Sequence, residues 1–184
     1  MGLTWEAENI GDWMKKTIEN MTLLGMILAA ALSRLIPHMP NFTAVVAMGL
    51  FAGAQFQNRT LAVGVSLAAL FISDLLIGFH GEMVWVYGSI ALISVASVSL
   101  LSSKSRWGRI GLVSLASSAF FFLVTNFAVW LQSGMYPKTF LGLADCYLMA
   151  VPFFGNQIVG DLFYSGALFG ALAMLRIYQA EKAV

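Results

Sequence analysis

The sequence predicts an all-α integral membrane protein: about six transmembrane helices in one compact bundle, preceded by an amphipathic helix at the membrane interface. Three observations carry this prediction. Of 184 residues, 59% are hydrophobic and 10% charged, whereas a soluble domain has about 25% charged residues. A globule of this size has no means of hiding so much apolar surface from water. The apolar residues are also gathered into runs, at 21–36, 43–56, 61–79, 83–101, 110–131 and 158–178. Finally, the basic residues fall between these runs with a strong bias to one side.

The elements follow in chain order. Residues 1–20 place Ile10, Trp13, Met14, Thr17, Ile18 and Met21 at helical spacing against Glu8, Asp12, Lys15, Lys16 and Glu19. That pattern describes an interfacial amphipathic helix with a tryptophan at headgroup level. The same acidic residues, without a basic start and an apolar run, predict no cleaved signal peptide. Residues 21–184 form the transmembrane domain. Its first run ends at Pro37, and the first two runs are short. The other four are long enough to cross a hydrocarbon core about 30 Å thick, which takes about 20 helical residues. In lipid, backbone groups must be satisfied within the segment, and none of the runs alternates as a barrel strand does, so each is a helix.

Residues 139–154 are apolar but carry Asp145 and Pro152. They fit a seventh span, a re-entrant helix or an interfacial helix. With six spans, Lys15, Lys16, Arg59, Lys104, Arg106, Arg109, Arg176 and Lys182 share one side, and only Arg34 and Lys138 lie on the other. This bias predicts a cytoplasmic location for both termini. A seventh span would weaken it, so 139–154 is expected to be a non-spanning helix on the outer side.

Small residues recur four apart at Gly25, Ala29 and Ser33, at Gly49 and Gly53, and at Gly166 and Gly170, a spacing that lets helices approach closely in lipid. Packing within the chain is the plain reading. The sharper one makes Gly25, Ala29 and Ser33 an interface for another membrane subunit.

A carboxylate at the centre of a lone spanning helix costs about 2.5–3.5 kcal/mol on insertion scales, so such groups usually face a bundle interior or a wet cavity. Asp74, Asn126 and Asp161 lie near the outer ends of three helices, with Gln157 and Ser165 sharing the Asp161 face. Around them the outer loops hold Arg34, His38, Asn41, His80, Glu82, Tyr136 and Lys138, while the inner halves of the helices read as almost wholly apolar. Polar groups confined to one end suit an outward pocket better than a channel, which needs them at every depth. Asp74, Asn126 and Asp161 are expected at its floor, and Arg34, His38, His80, Trp130 and Lys138 nearer its rim. The plain alternative is a structural network, with Arg34 paired to Asp74 or Asp161.

No reaction is indicated. Two histidines, His38 and His80, do not make a His-x-x-x-His metal pair. Cys146 lies in an apolar stretch and can form no intrachain disulfide. Ser73-Asp74-Leu75 and Gly160-Asp161-Leu162 lack the motifs of intramembrane aspartyl proteases. The Asn-x-Thr triplets at Asn20, Asn41 and Asn58 fall on both sides of the membrane and read as chance. The net charge of +1 gives no reason to expect a nucleic-acid partner. The chain is expected to be neither an enzyme nor a metalloprotein, and its sequence names no cofactor.

Several blocks resemble a family of small bacterial membrane proteins classed as a domain of unknown function. They are Leu32-Ser-Arg-Leu-Ile-Pro-His-Met-Pro-Asn-Phe-Thr43, Ser73-Asp-Leu-Leu-Ile-Gly-Phe-His80, Thr125-Asn126, Met135-Tyr-Pro-Lys-Thr139 and Val151-Pro-Phe-Phe-Gly-Asn156 with Gly160-Asp161-Leu162. The resemblance covers nearly the whole chain. In layout the chain is also similar to the substrate-binding S-components of energy-coupling-factor vitamin transporters. Those have six helices and cytoplasmic termini, a pocket capped by the loop after the first helix, and small residues on that helix facing a coupling subunit. Gly25, Ala29 and Ser33 and the turn Pro37-His-Met-Pro40 occupy the corresponding places. This likeness implies an S-component-like transport protein of the bacterial inner membrane. It would take a small molecule, such as a vitamin or cofactor precursor, with a transmembrane coupling subunit and ATPases as candidate partners. The alternative is a structural or assembly subunit of a larger membrane complex, with no ligand of its own.

Overall fold

The structure, a computed structural model, describes the backbone of residues 2–182 and the side chains of residues 13–182. Among the described residues the chain forms six α-helices: α1 Gly2–Leu32, α2 Val45–Gln55, α3 Arg59–Ile77, α4 Met83–Leu100, α5 Trp107–Gln132 and α6 Phe140–Glu181. A short 3-10 turn, Ser33–Leu35, follows α1. Five of the helices are long and apolar enough to cross a membrane, and the protein is an all-α integral membrane protein. The many exposed Leu, Ile, Val, Phe and Met side chains on the outside of the bundle are those of a lipid-facing surface.

The remaining helix, α2, has 11 residues and is only about 16 Å long, shorter than a hydrocarbon core. Its residues Val45–Ala54 are all buried, as expected of a helix apolar on every side. It packs against each of the other five helices and forms the axis of the bundle. Glycine makes its closest contact possible. A Cβ on Gly53 would strike Ser97 Cβ and the Ser94 carbonyl of α4, and one on Gly49 would lie 3.1 Å from Ser94 Oγ.

Two boundaries differ from the sequence expectation. The amphipathic segment 1–20 is not a separate element, because α1 runs unbroken from Gly2 to Leu32 with no proline to interrupt it. Trp13, Met14, Ile18 and Met21 are exposed along it, while the side chain of Ile10 lies outside the described residues. Likewise 139–154 is not separate from the last span. Both belong to α6, 42 residues long, or about 63 Å and twice the thickness of a hydrocarbon core. Pro152, inside this helix, removes one backbone donor, which alone favours a break. Packing on α5 overrides it. Tyr147 OH donates to the Leu123 carbonyl at 2.6 Å and Cys146 Sγ to the Asn126 carbonyl at 3.4 Å. The Phe122 ring lies 4.4 Å from that of Phe154.

Local chemistry sets the helix starts. The Asn58 side chain accepts from Leu61 N at the head of α3, and Thr139 Oγ1 accepts from Gly142 N at the head of α6, each meeting an orphan N–H of the first turn. Gly78 closes α3 at φ +110°, a conformation open to glycine and strained for other residues.

The first turns of the membrane-crossing part of α1 and the last turns of α6 share one end of the bundle. There the Arg176 guanidinium lies 2.9 Å from Glu19 and donates to Gln55 and the Ser103 carbonyl. The loops 33–44, 78–82 and 133–139 gather at the opposite end.

Candidate functional site

The polar residues of the loop-rich end surround a cavity of about 310 Å³. Arg34 enters it from the 3-10 turn, and Asn41 and Thr43 from the following loop. Val45 and Val46 of α2 and Val86 of α4 form an apolar wall. The α5 face contributes Phe121, Thr125, Asn126 and Val129, and α6 contributes Gln157 and Asp161. His80 and Glu82, 3.4 Å apart, come from the α3–α4 loop. Two larger hollows, between α1 and α3 and between α4 and α5, are almost wholly apolar and open to the lipid-facing surface. A third, of about 490 Å³ between α1 and α6 at the termini end, is lined by Lys15, Glu19, Thr22, Arg176 and Gln179.

A close approach builds the lower part of this cavity. The backbone of Phe42 and Thr43 lies directly on α6 at Gly160, where an added Cβ would come within 3.0 Å of Phe42 Cα and 3.1 Å of Thr43 N. The Phe42 ring then packs on those of Phe163 and Tyr164, each 5.7 Å away. Gly160 therefore brings Thr43 beside Asp161, the next residue of α6.

Asp161 is only 1% exposed. The Ser118 hydroxyl lies 2.6 Å from its Oδ2 and 2.9 Å from the Ser114 carbonyl, with one hydrogen for two acceptors. None of the ion pairs among the described residues involves Asp161. Its neighbours carry acceptors into the same space. Gln157 Nε2 donates to the Ser118 carbonyl and Asn126 Nδ2 to the Phe122 carbonyl, both at 2.8 Å. A carbonyl only accepts, so these bonds orient the two amides and leave each with its side-chain oxygen and a second N–H, the Gln157 amide lying beside the Asp161 carboxylate. Thr125 gives its hydrogen to the Phe121 carbonyl at 2.8 Å.

Asp74, also 1% exposed, has a different environment. Arg34 NH1 lies 2.7 Å from Asp74 Oδ1 and 2.5 Å from Ser73 Oγ, and Tyr87 OH donates to Asp74 Oδ2 at 2.8 Å. The carboxylate is fully engaged, tying the 3-10 turn, α3 and α4 together behind the cavity wall.

Of the residues expected in a pocket, Arg34, His80, Asn126 and Asp161 line the cavity, and Asp74 stands behind Arg34. His38 is exposed, its Nδ1 2.9 Å from the carbonyl of the adjacent Met39. Trp130 and Lys138 brace the α5–α6 turn instead. Trp130 Nε1 donates to the Pro137 carbonyl at 2.9 Å, Lys138 Nζ donates to the Trp130 carbonyl, and its ammonium sits 5.3 Å from the centre of the indole ring. Gly25 and Ala29 face outward from α1, with nothing within 4 Å of a Cβ placed on Gly25, and Ser33 is half-buried. Gly166 is also open, so of the three small-residue series only that on α2 makes its close contact within the chain.

The sequence pattern alone does not single out Ser118 or Tyr87. A signal for Ser118 exists: Ser114, Ser118 and Asn126 keep multiples of four on α5, matching Gln157, Asp161 and Ser165 on α6. In the antiparallel pair these stripes meet, with Ser114 Oγ 3.4 Å from Ser165 Oγ. The inner half is also less apolar than it reads. Ser66, Ser94 and Ser97 are buried there, bonded to one another or to carbonyls of their own helices.

Fold and site together define a helical integral membrane protein with a polar cavity at the end opposite its termini. The chain belongs to DUF6580, a family of unknown function whose profile matches residues 14–183. No curated protein and no solved structure matches it.

Proposed function

We propose that this is a membrane transport protein that binds a small molecule in the cavity at the loop-rich end. The observation that supports it most directly is the convergence of polar groups from α5, α6 and three connecting segments on one cavity of about 310 Å³. They surround a buried carboxylate that has no cation partner among the described residues. That volume is at the small end of the usual range for ligand sites, about 300–1,000 Å³. The basic residues support an outward orientation: eight of the ten lie toward the termini end, which the positive-inside rule assigns to the cytoplasm. The resemblance in layout to S-components, read from the sequence, is the reason to favour uptake, with the outward Gly25–Ala29 face of α1 as the candidate contact for a coupling subunit.

The test is to purify the full chain in mild detergent and identify small molecules that co-purify, by mass spectrometry. A bound compound that raises the melting temperature when added back supports the reading; its absence across several expression hosts overturns it. For the orientation, Ser103→Cys and Ser133→Cys, at opposite ends of the bundle, should react with an impermeant thiol reagent from opposite sides of the membrane. For the partner, Ala29→Leu should abolish uptake while ligand binding and melting stay unchanged. The rival reading, an assembly subunit without a ligand, draws on the same outward face of α1. It gains if Ala29→Leu breaks a stable complex in a protein that yields no ligand.

A further inference from the structure

We infer that the compound held in this cavity is a small organic cation, a protonated amine or amidine, with its N–H groups directed at Asp161. The inference rests on the reading of the cavity as a ligand site and adds the chemical class. It comes from what faces Asp161 at the cavity floor. Asp161 shares the single Ser118 hydrogen with the Ser114 carbonyl. Gln157 and Asn126 each give one amide N–H to a helix carbonyl and keep the other, together with the side-chain oxygen. The Gln157 amide lies beside the Asp161 carboxylate, and the Thr125 hydrogen is committed to Phe121. The floor therefore holds neutral donors and acceptors, but among the described residues no cation is paired with the carboxylate, and an occupant can bring one.

Charge points the same way. The guanidinium nearest the cavity, Arg34, is already matched by Asp74 at 2.7 Å. Glu82 adds a second carboxylate at the rim, faced by His80 at 3.4 Å. A buried carboxylate without a counter-charge is costly, and a charged N–H donor is the partner that relieves it with hydrogen bonds as well as attraction. An anion would meet Asp161 directly. A neutral compound would leave the carboxylate without a counter-charge. The wall of Val45, Val46, Val86 and Phe121 suits an apolar body behind the cationic head.

Three probes of one shape separate the possibilities: benzamidine, a cation near neutral pH, benzamide, which is neutral, and benzoate, an anion. Each is titrated into the full-length protein in detergent by calorimetry. Benzamidine should bind at least about tenfold more tightly than benzamide, since a hydrogen bond to a charged group contributes about 1.5–3 kcal/mol, and benzoate should not bind. In Asp161→Asn the preference for benzamidine should fall to about twofold or less. The comparison on the parent protein stands even if that variant does not fold. Benzamide or benzoate binding as well as benzamidine overturns the cation and leaves the pocket reading intact, as does a co-purified neutral or anionic compound. Failure of all three probes, together with no co-purified compound, overturns both. A benzamidine preference that survives Asp161→Asn unchanged overturns the role of Asp161.

Discussion

Asp74 and Asp161 look alike in many respects. Each is an aspartate on a membrane-crossing helix, each is 1% exposed, and each follows a small residue and precedes leucine. Their surroundings differ in kind. Asp74 accepts from an arginine and a tyrosine and is closed in on all sides. Asp161 has part of one serine hydrogen, the neutral Gln157 amide beside it, no paired cation among the described residues, and a cavity in front of it. The first arrangement is a completed tie between a turn and two helices. The second leaves bonding capacity open, and an open carboxylate at the floor of a cavity is retained at a cost that folding alone does not explain. The difference separates a residue that holds the bundle together from one available to something else.

The largest expected effect tests the tie. Asp74→Asn leaves Arg34 with no carboxylate in a mostly buried place, and breaking such a pair from one side costs about 3–5 kcal/mol. Chemical unfolding in detergent should show a loss of that size. Arg34→Met combined with Asp74→Leu should recover most of it, because removing both charges strands neither. If the double variant is as unstable as Asp74→Asn, the ion pair is not the source of the effect. Tyr87→Phe, which removes one donor and strands no charge, should cost only about 0.5–1.5 kcal/mol.

The next effect falls on the cavity side. In Gly160→Ala the new Cβ meets the backbone of Phe42 and Thr43 at about 3.0 Å, so the loop must move by a few tenths of an ångström. Overpacking of this kind typically costs about 1–3 kcal/mol. The displaced segment carries Thr43, so ligand affinity should fall along with stability. At Gly166, where a Cβ meets nothing within 4 Å, the same substitution should leave both unchanged. If the two variants behave equally, the close approach at Gly160 does not shape the cavity.

Much of the bundle was legible in the sequence because lipid makes hydropathy a direct readout: five apolar runs became five long helices. What was not legible depended on neighbours. Pro152 and Asp145 argue for a break before the last span, and the α5 surface that holds α6 together across them is not a local property. α2 reads as a span of marginal length, and its position on the bundle axis follows from the five helices around it. The spacing of Gln157, Asp161 and Ser165 identified a polar face, but spacing does not say which helix that face meets. Trp130 shared the face of Asn126 in the helical pattern. In the fold, the tight turn after α5 draws its indole to Pro137 and Lys138.

That turn supplies a smaller effect. Lys138→Met removes an exposed cation from Trp130, and exposed cation–π contacts contribute about 0.5–1 kcal/mol. Melting should shift slightly and ligand affinity should hold. A loss of affinity without a loss of stability would return Lys138 to the cavity.

The smallest stability effect is expected where affinity suffers most, at Asp161→Asn. The asparagine has nearly the same shape, its Oδ1 can accept the Ser118 hydrogen, and its Nδ2 can donate to Gln157 Oε1 in the same cluster. No cation is stranded, since among the described residues none is paired with Asp161. Replacing a lone buried charge with a neutral group also removes its desolvation penalty. Unfolding free energy should therefore stay within about 1 kcal/mol of the parent, the range of a single neutral hydrogen bond. Binding of a cationic probe should fall at least about tenfold, the loss of one charge-assisted contact. The paired measurement, stability and affinity on the same preparation, decides the assignment. Should Asp161→Asn unfold as readily as Asp74→Asn, the two aspartates would both be ties, and the cavity would be a by-product of how α5, α6 and the Phe42–Thr43 segment pack. If it stays folded and loses the probe, the carboxylate is there for the ligand.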